Sequence, residues 1–207
     1  MVLPSNPENR LRIRERRNYT DMVKFLFVRH GKTAYNEQHL LQGQTDIPLS
    51  ETGRKEAEAT RASLLSYQID EIYTSPLLRA RETAEIIAKG RDIPVYVEPA
   101  IIEMNYGDLE GKCTYKSGLG KLRRKYFTRF PNGENYFDVA SRIYPFLKSV
   151  EEKHKDENKT ILLVGHMGIF RVILSYFQDL TNEEFGRWRV RNAEVVVLPE
   201  KGEKHDL

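Results

Sequence analysis

Two histidines in this sequence each follow a short apolar run. Arg29 and His30 come directly after residues 25–28, and His166 comes just after the run 160–164. Apolar runs of this length are typical of buried strands. Because ligands in open α/β folds bind at the edge where the carboxyl ends of the strands meet, both histidines are expected at one site. An imidazole near neutral pH can attack phosphorus and form a phosphohistidine.

An arginine and a glutamate complete this predicted edge. Arg79 lies in the first turn of the helix predicted after residues 71–74, and Glu103 follows a third predicted strand. Two arginines that converge on one point, Arg29 and Arg79, form a bidentate phosphate clamp. A carboxylic acid such as Glu103 can protonate a leaving oxygen and then deprotonate a water. His166 would be a second cation that stabilises charge on the transferred phosphoryl group.

Each of these residues also has a structural interpretation when it is taken alone. A histidine at the end of a strand is usually a hydrogen-bonded structural residue, and Glu103 could only cap a helix. Packing alone, however, does not easily explain why polar side chains of these types follow the ends of four separate predicted strands. The sequence therefore predicts phosphoryl transfer. Since no carboxylates are spaced as metal ligands, it predicts a reaction that uses arginines and helix N-termini, with no metal and no other cofactor.

The composition indicates a globular protein with an ordinary surface. Of the 207 residues, 40% are hydrophobic and 30% are charged, and the formal net charge is +3. Residues 1–21 contribute +2 of this, from five arginines against three acidic residues, so no nucleic-acid partner is expected. No apolar run approaches the roughly 20 residues that span a bilayer, so no membrane association is expected. The single Cys113 excludes an internal disulfide and fits the cytoplasmic location that we expect.

Apolar runs alternate with helical patterns along the chain. Strands are predicted at 24–29, 71–74, 94–97, 160–164 and 193–198. Ser75 is expected to cap the helix after the second strand, with Pro76 at its first position. This order predicts an α/β fold, a three-layer α/β/α sandwich with a mostly parallel central sheet. A basic N-terminal extension, 1–21, would precede a single domain, 22–207, with a small helical cap insertion at about 104–133.

Several stretches of the sequence resemble the motifs of the histidine phosphatase superfamily, also called the phosphoglycerate mutase-like family. They are Arg29–Asn36 (RHGKTAYN), Gln42–Gly43, Asp46–Gly53 (DIPLSETG), Ser75–Thr83 (SPLLRARET), Glu103–Gly111 (EMNYGDLEG) and Gly165–His166. The resemblance covers roughly residues 24–198 and implies the same three-layer fold. One departure is Pro131–Asn135 (PNGEN), which resembles the family's PGGES with asparagine at the second and fifth positions.

The resemblance also implies a role for each residue of the site. His30 would be the nucleophile that accepts the phosphoryl group, and Glu103 the proton donor. The other catalytic and phosphate- or substrate-binding residues that it implies are Arg29, Asn36, Gln42, Gly43, Arg79, His166 and the backbone N–H of Met167. The implied partner is a small phosphorylated metabolite. An α-ribazole phosphate, a sugar phosphate and a phosphoglycerate all stay open, as do a monomer and a homodimer.

The resemblance leaves a choice between a phosphatase and a cofactor-dependent mutase. Only 27 residues lie between Glu103 and Pro131, and the longer insertion that encloses the bisphosphate in the mutases is missing. The sequence therefore favours a metal-independent phosphomonoester hydrolase. The alternative is a 2,3-bisphosphoglycerate-dependent phosphoglycerate mutase. A non-catalytic phospho-ligand binding module ranks low, because His30, His166 and Glu103 are all present.

Seven cations of the cap insertion offer a hypothesis about specificity. They are Lys112, Lys116, Lys121, Arg123, Arg124, Lys125 and Arg129. Some of them could face the pocket and select substrates with a second negative group. A solvated helix face explains them equally well.

Overall fold

The computed structural model describes residues 23–201, apart from 117, 119–121, 123 and 124. The predicted extension 1–21 lies outside the described residues. The strands are β1 (Lys24–Arg29), β2 (Glu71–Thr74), β3 (Val95–Val97), β4 (Thr160–Gly165) and β5 (Val195–Val197). The helices are α1 (Ala34–Glu37), α2 (Glu51–Ser63), α3 (Leu78–Ala88), α4 (Tyr136–Lys153), α5 (Met167–Phe177) and α6 (Asn182–Arg187). Among the described residues, no helix is long and apolar enough to cross a membrane.

The five strands form one sheet in the order β3-β2-β4-β1-β5. All neighbours are parallel except β5, which pairs antiparallel with β1. The register of the two central strands places Arg29 opposite Gly165, and the N–H of His30 donates to the Gly165 carbonyl at 3.0 Å. The predicted mostly parallel sheet is therefore confirmed, and its central pair brings the two histidine-bearing turns side by side.

Alternate residues of β1 enter two separate hydrophobic cores. Phe25 and Phe27 pack in one core with residues of α4 and α5, while Leu26 and Val28 pack in the other with residues of α3 and with Leu64, which directly follows α2. Side chains of a strand point alternately to its two faces, so helices cover the sheet on both sides. This confirms the three-layer α/β/α arrangement.

The start of α3 differs from the prediction. The helix begins at Leu78, and its N-cap residue is Leu77, which makes no side-chain capping bond. Instead, the Asp46 carboxylate accepts the Leu78 N–H at 2.7 Å, so the cap comes from a distant loop. Ser75, which was expected to cap this helix, lies in the preceding turn and is fully buried. A cap supplied from another part of the chain leaves no local sequence signal.

The stretch 104–133, which the sequence predicts as a cap insertion, is described in part. It holds a short 3-10 helix, Gly107–Leu109, and an isolated bridge that joins Cys113 to Leu40. Phe130, near its end, is buried in the core. Residues 117, 119–121, 123 and 124 of this stretch lie outside the described part of the chain.

Candidate active site

His30 lies directly after β1 and is 3% exposed. Its Nδ1 is 2.7 Å from the Gly31 carbonyl oxygen. Because a carbonyl only accepts, Nδ1 carries the proton and Nε2 keeps its lone pair. Burial, together with the positive charges of Arg79 and Arg29, holds the pKa of His30 well below 6.5. The ring is therefore neutral at pH 7, with Nε2 available as a nucleophile.

His166 is the N-cap residue of α5 and is fully buried. Its ring centroid is 5.1 Å from that of His30. Burial lowers the pKa of His166 well below 6.5, and Arg79, His30 and Arg29 lower it further. The sequence predicts a second cation here, but the site holds a neutral imidazole, because a third positive charge between two arginines is unfavourable.

The guanidinium of Arg79 is held by a loop. It is 1% exposed, and its Nη1 and Nη2 donate to the carbonyls of Thr45 and Gly43 at 2.9 and 2.6 Å. Its Nε has no hydrogen-bond partner among the described residues. Burial lowers the pKa of Arg79 to about 10, which still leaves it charged at pH 7. The loop thus fixes the guanidinium and leaves donors over for a ligand.

Arg29 and His30 are held from the other side by residues 188–193, a stretch called here the return segment. The Nη1 of Arg29 donates to the Val190 carbonyl at 2.9 Å. The side-chain amide of Asn192 donates to the His30 carbonyl at 2.9 Å and to Oδ1 of Asn36 at 3.2 Å. The return segment therefore fixes the backbone at the end of β1, and with it the position of the His30 ring.

The carboxylate of Glu103 lies at the N-terminus of α5. Its Oε1 accepts from the N–H groups of Met104 and Ile169 at 2.8 and 3.1 Å, and its Oε2 accepts from Gly168 at 3.0 Å. Each carboxylate oxygen has two acceptor positions, so Oε2 keeps one unused. Oε2 is therefore the oxygen that can carry and release a proton.

The first turn of α5 has one donor left for a ligand. Glu103 takes the N–H groups of Gly168 and Ile169, and the N–H of Phe170 bonds to the His166 carbonyl. Within the described residues, this leaves the N–H of Met167. An N–H at a helix N-terminus favours an anion through both the hydrogen bond and the helix dipole.

The loop that holds Arg79 is itself held by Glu110. Oε1 of Glu110 accepts from the N–H groups of Gln44 and Tyr106 at 2.9 and 3.1 Å, and Oε2 accepts from the N–H and the hydroxyl of Thr45 at 2.9 and 2.5 Å. Gly43 in this loop has φ of +56°, and a Cβ there would overlap the Glu110 carboxylate. The turn therefore requires glycine at this position.

A cleft of about 1220 Å³ opens over these residues. The predicted site residues that line it are Arg29, His30, Asn36, Gln42, Gly43, Arg79, Glu103 and Met167. His166 is fully buried beside His30 instead. Gln42 is 7% exposed, and its side-chain Oε1 has no partner among the described residues. The structure thus brings the whole predicted set together at one edge of the sheet.

Two residues that position this set, Thr83 and Arg142, were not predicted from the sequence. Thr83 accepts the Gly31 N–H at 3.1 Å and donates to the Arg79 carbonyl at 2.7 Å, which ties the histidine turn to α3. Arg142 on α4 donates to the carbonyl of Ile102 at 2.8 Å, next to Glu103. Thr83 belongs to a recognisable motif, but a lone arginine in an amphipathic helix gives no signal of such a contact.

The cations of the predicted cap insertion that the structure describes do not line the cleft. Lys112, Lys116, Lys125 and Arg129 are exposed and none of them lines it. Arg129 is engaged in an ion pair with Asp138. The other three members, Lys121, Arg123 and Arg124, lie outside the described residues. Besides Arg29 and Arg79, two arginines of the return segment, Arg189 and Arg191, line the cleft.

Comparison with known proteins identifies the family. Residues 25–207 match the family model for the histidine phosphatase superfamily (branch 1). A 2,3-bisphosphoglycerate-dependent phosphoglycerate mutase of Cytophaga hutchinsonii is 32% identical over 79% of this chain and 81% of its own. An uncharacterized phosphatase, PhoE, of Bacillus subtilis is 30% identical over 84% of this chain and 95% of its own. The chain therefore belongs to the histidine phosphatase superfamily.

A solved structure agrees with this assignment. The mycobacterial glucosyl-3-phosphoglycerate phosphatase in complex with VO3 is similar with a TM-score of 0.75 and 25% sequence identity, over 87% of this chain and 99% of that one. The similar proteins thus include both a mutase and phosphatases. The resemblance seen in the sequence is confirmed, and the protein is an enzyme of the phosphoglycerate mutase-like type.

Proposed function

We propose that this enzyme hydrolyses a small phosphomonoester through a phosphohistidine on Nε2 of His30. The observation that carries the proposal is the hydrogen bond from Nδ1 of His30 to the Gly31 carbonyl, which leaves Nε2 with its lone pair. The low pKa of the ring keeps this lone pair free at pH 7. Arg29 and Arg79 line the same cleft as His30, which supports their binding the phosphoryl group that the ring attacks.

In the first step, Nε2 of His30 attacks phosphorus in line with the leaving oxygen. The N–P bond forms while the P–O bond breaks, and Oε2 of Glu103 gives its proton to the departing oxygen. Arg29, Arg79 and the N–H of Met167 stabilise the three equatorial oxygens. These donors are fixed before the reaction by the Val190, Thr45 and Gly43 carbonyls and by the start of α5. The alcohol then leaves the cleft.

In the second step, water replaces the alcohol. The carboxylate of Glu103, now without its proton, takes a proton from water while the oxygen attacks phosphorus and the N–P bond breaks. Inorganic phosphate is released, the His30 ring is neutral again, and Glu103 is protonated for the next cycle. All charges in this cycle are balanced by the enzyme's own side chains, so the proposed reaction needs no metal ion or cofactor.

Three features support a hydrolase over a mutase. Only 27 residues lie between Glu103 and Pro131. The described cap cations Lys112, Lys116 and Lys125 stay out of the cleft, so they do not offer a site for the second phosphate of a bisphosphate. A cleft of about 1220 Å³ is much larger than a phosphoryl group and leaves room for water as well as for the rest of the substrate.

A phosphoglycerate mutase is the second candidate, and the relative from Cytophaga hutchinsonii is the observation that favours it. In that reaction a hydroxyl of a phosphoglycerate, instead of water, would take the phosphoryl group from His30. The same residues would serve both reactions. The acceptor that reaches the phosphohistidine therefore decides between the two.

A panel of phosphomonoesters at neutral pH with EDTA tests the proposal. It includes a sugar phosphate, an α-ribazole phosphate, and 3-phosphoglycerate with and without 2,3-bisphosphoglycerate. We expect release of inorganic phosphate that EDTA does not reduce and that needs no bisphosphate. His30→Asn should abolish this release, while His39→Asn, a change at an exposed loop histidine, should keep it. Conversion of 3- to 2-phosphoglycerate that requires the bisphosphate would establish the mutase, and loss of activity with EDTA would refute the metal-independent mechanism.

A further inference from the structure

Ser75 contacts the ring of His166 on the side away from its unpartnered nitrogen. The hydroxyl of Ser75 is 2.7 Å from Nε2 of His166, and Ser75 is fully buried. The backbone N–H of Ser75 donates to the Val164 carbonyl at 3.0 Å, which extends the pairing of β2 with β4. The distance between hydroxyl and ring is therefore set by the sheet itself.

The Ser75 hydroxyl has two hydrogen-bond partners in the described part of the chain, and only one of them can accept its proton. Besides His166, the Leu77 N–H donates to it at 3.3 Å. An N–H cannot accept, so in the described part of the chain Nε2 of His166 is the one acceptor for the Ser75 proton. If Nε2 carried its own proton instead, the buried Ser75 O–H would be left without an acceptor, while Nδ1 of His166 has no partner in either tautomer. A buried donor without an acceptor costs about 1–3 kcal/mol.

We propose that Ser75 is a positioning residue that fixes His166 as the neutral tautomer with its proton on Nδ1, and that this Nδ1–H donates to a phosphoryl oxygen. Nδ1 of His166 is buried and has no partner among the described residues. In the tautomer set by Ser75, Nδ1–H is a buried donor without an acceptor and lies beside the nucleophile. A phosphoryl oxygen of the substrate would supply that acceptor. The role of the ligand rests on the proposed function, whereas the tautomer does not.

The charges around His166 favour the same state. The charged groups that act on the ring are Arg79, Arg29 and Arg142, and the other titratable neighbour is the neutral His30. A protonated His166 would add a positive charge to three others and would leave the Ser75 proton without its acceptor. His166 therefore acts as a neutral hydrogen-bond donor, and the two arginines Arg29 and Arg79 supply the charge.

The tautomer can be read without turnover. A long-range ¹H–¹⁵N correlation spectrum of the ligand-free enzyme labelled at histidine, with His166 assigned from the His166→Gln spectrum, shows which ring nitrogen is protonated. We expect the proton on Nδ1 in the wild type and a mixture of tautomers in Ser75→Ala. Ser75→Thr, which keeps the hydroxyl, should restore the wild-type pattern. A proton on Nε2 in the wild type would overturn the proposal.

Binding and kinetics test what the tautomer does. Vanadate, an oxyanion inhibitor, should bind Ser75→Ala roughly tenfold more weakly, the effect of about 1.4 kcal/mol for one lost hydrogen bond. The value of kcat/KM should fall by a similar factor. Ser149→Ala is the matched control, since that hydroxyl donates to the Phe146 carbonyl on the same helix α4, and it should change neither value. Unchanged vanadate binding in a Ser75→Ala enzyme that melts as the wild type does would also overturn the proposal.

Failure of this inference can be told from failure of the proposed function. If the spectrum shows Nδ1–H and vanadate binding depends on Ser75, but no phosphomonoester is hydrolysed, the inference holds and the proposed function is wrong. If phosphomonoesters are hydrolysed through His30 while His166 carries its proton on Nε2, the proposed function holds and the inference is wrong.

Discussion

The rings of His30 and His166 lie 5.1 Å apart, centroid to centroid, and the pKa of each is held well below 6.5. Their closeness follows from the register of β1 with β4, which pairs Arg29 with Gly165. Their neutrality follows from burial beside two arginines. In the proposed mechanism the site therefore separates two tasks: the arginines supply positive charge, and the imidazoles supply a lone pair and a hydrogen-bond donor.

This neutrality predicts a pH dependence of stability. Both histidines have folded-state pKa values below the unfolded value of about 6.5. The unfolded chain then binds more protons than the folded one between these values, so the free energy of unfolding falls as the pH is lowered from 6.5 toward the folded pKa. The slope reaches at most about 1.4 kcal/mol per pH unit for each histidine.

His166→Gln should remove one of these two contributions. The free energy of unfolding is measured by urea titration at pH 8, 7, 6 and 5.5 in phosphate-free buffer. Plotted against pH, it should run parallel for variant and wild type between pH 8 and 7. Below pH 6.5 the variant should lose stability less steeply. Curves that stay parallel over the whole range would show that His166 is not held neutral in the folded enzyme.

The position of Glu103 predicts that its effect depends on the leaving group. Glu103→Gln keeps the size of the side chain but has no proton to give from Oε2. Hydrolysis of an alkyl phosphate should slow by roughly 10²–10⁴-fold, the usual contribution of a general acid. With p-nitrophenyl phosphate, whose leaving group needs no proton, formation of the phosphohistidine should slow by less than tenfold. Equal losses for both substrates in the burst phase would contradict the role of Glu103 as the acid.

Glu110 should influence phosphate binding although it is not expected to touch the phosphate. Its carboxylate accepts four donors, including both the N–H and the hydroxyl of Thr45, and this loop holds Arg79. Glu110→Gln would turn an amide N–H₂ toward some of these donors. We expect vanadate to bind at least tenfold more weakly, with a loss in unfolding free energy of about 2 kcal/mol.

Glu85→Gln is the matched control for this change, because Glu85 is an exposed residue of the same helix as Arg79. It should leave both vanadate binding and stability unchanged. Loss of stability in Glu110→Gln without any change in vanadate affinity would show that the loop does not position Arg79.

Much of the fold and the content of the site could be predicted from the sequence, because they depend on local signals. Apolar runs that end in polar residues located the strand exits, and each exit carried one recognisable motif, as at His30 and Arg79. The alternation of strands and helices then placed the exits at one edge of the sheet, as the structure confirms.

What could not be predicted depends on contacts between distant segments. The charge of His166 depends on its burial and on Arg79, so the residue that the sequence predicts as a cation is a neutral ring. The capping hydrogen bond at the N-terminus of α3 comes from Asp46, which leaves the Ser75 hydroxyl free to contact His166. The return segment holds Arg29 through the Val190 carbonyl, and a backbone carbonyl has no sequence signature.

The central claim is that Nε2 of His30 carries the phosphoryl group during turnover. The most direct measurement is to mix enzyme with a ³²P-labelled phosphomonoester, quench in base, and map the label by peptide mass spectrometry. The account predicts one base-stable, acid-labile phosphoryl group on His30 that disappears as inorganic phosphate is released, and no label in His30→Asn. Turnover without any labelled enzyme, or label on a residue other than His30, would contradict it.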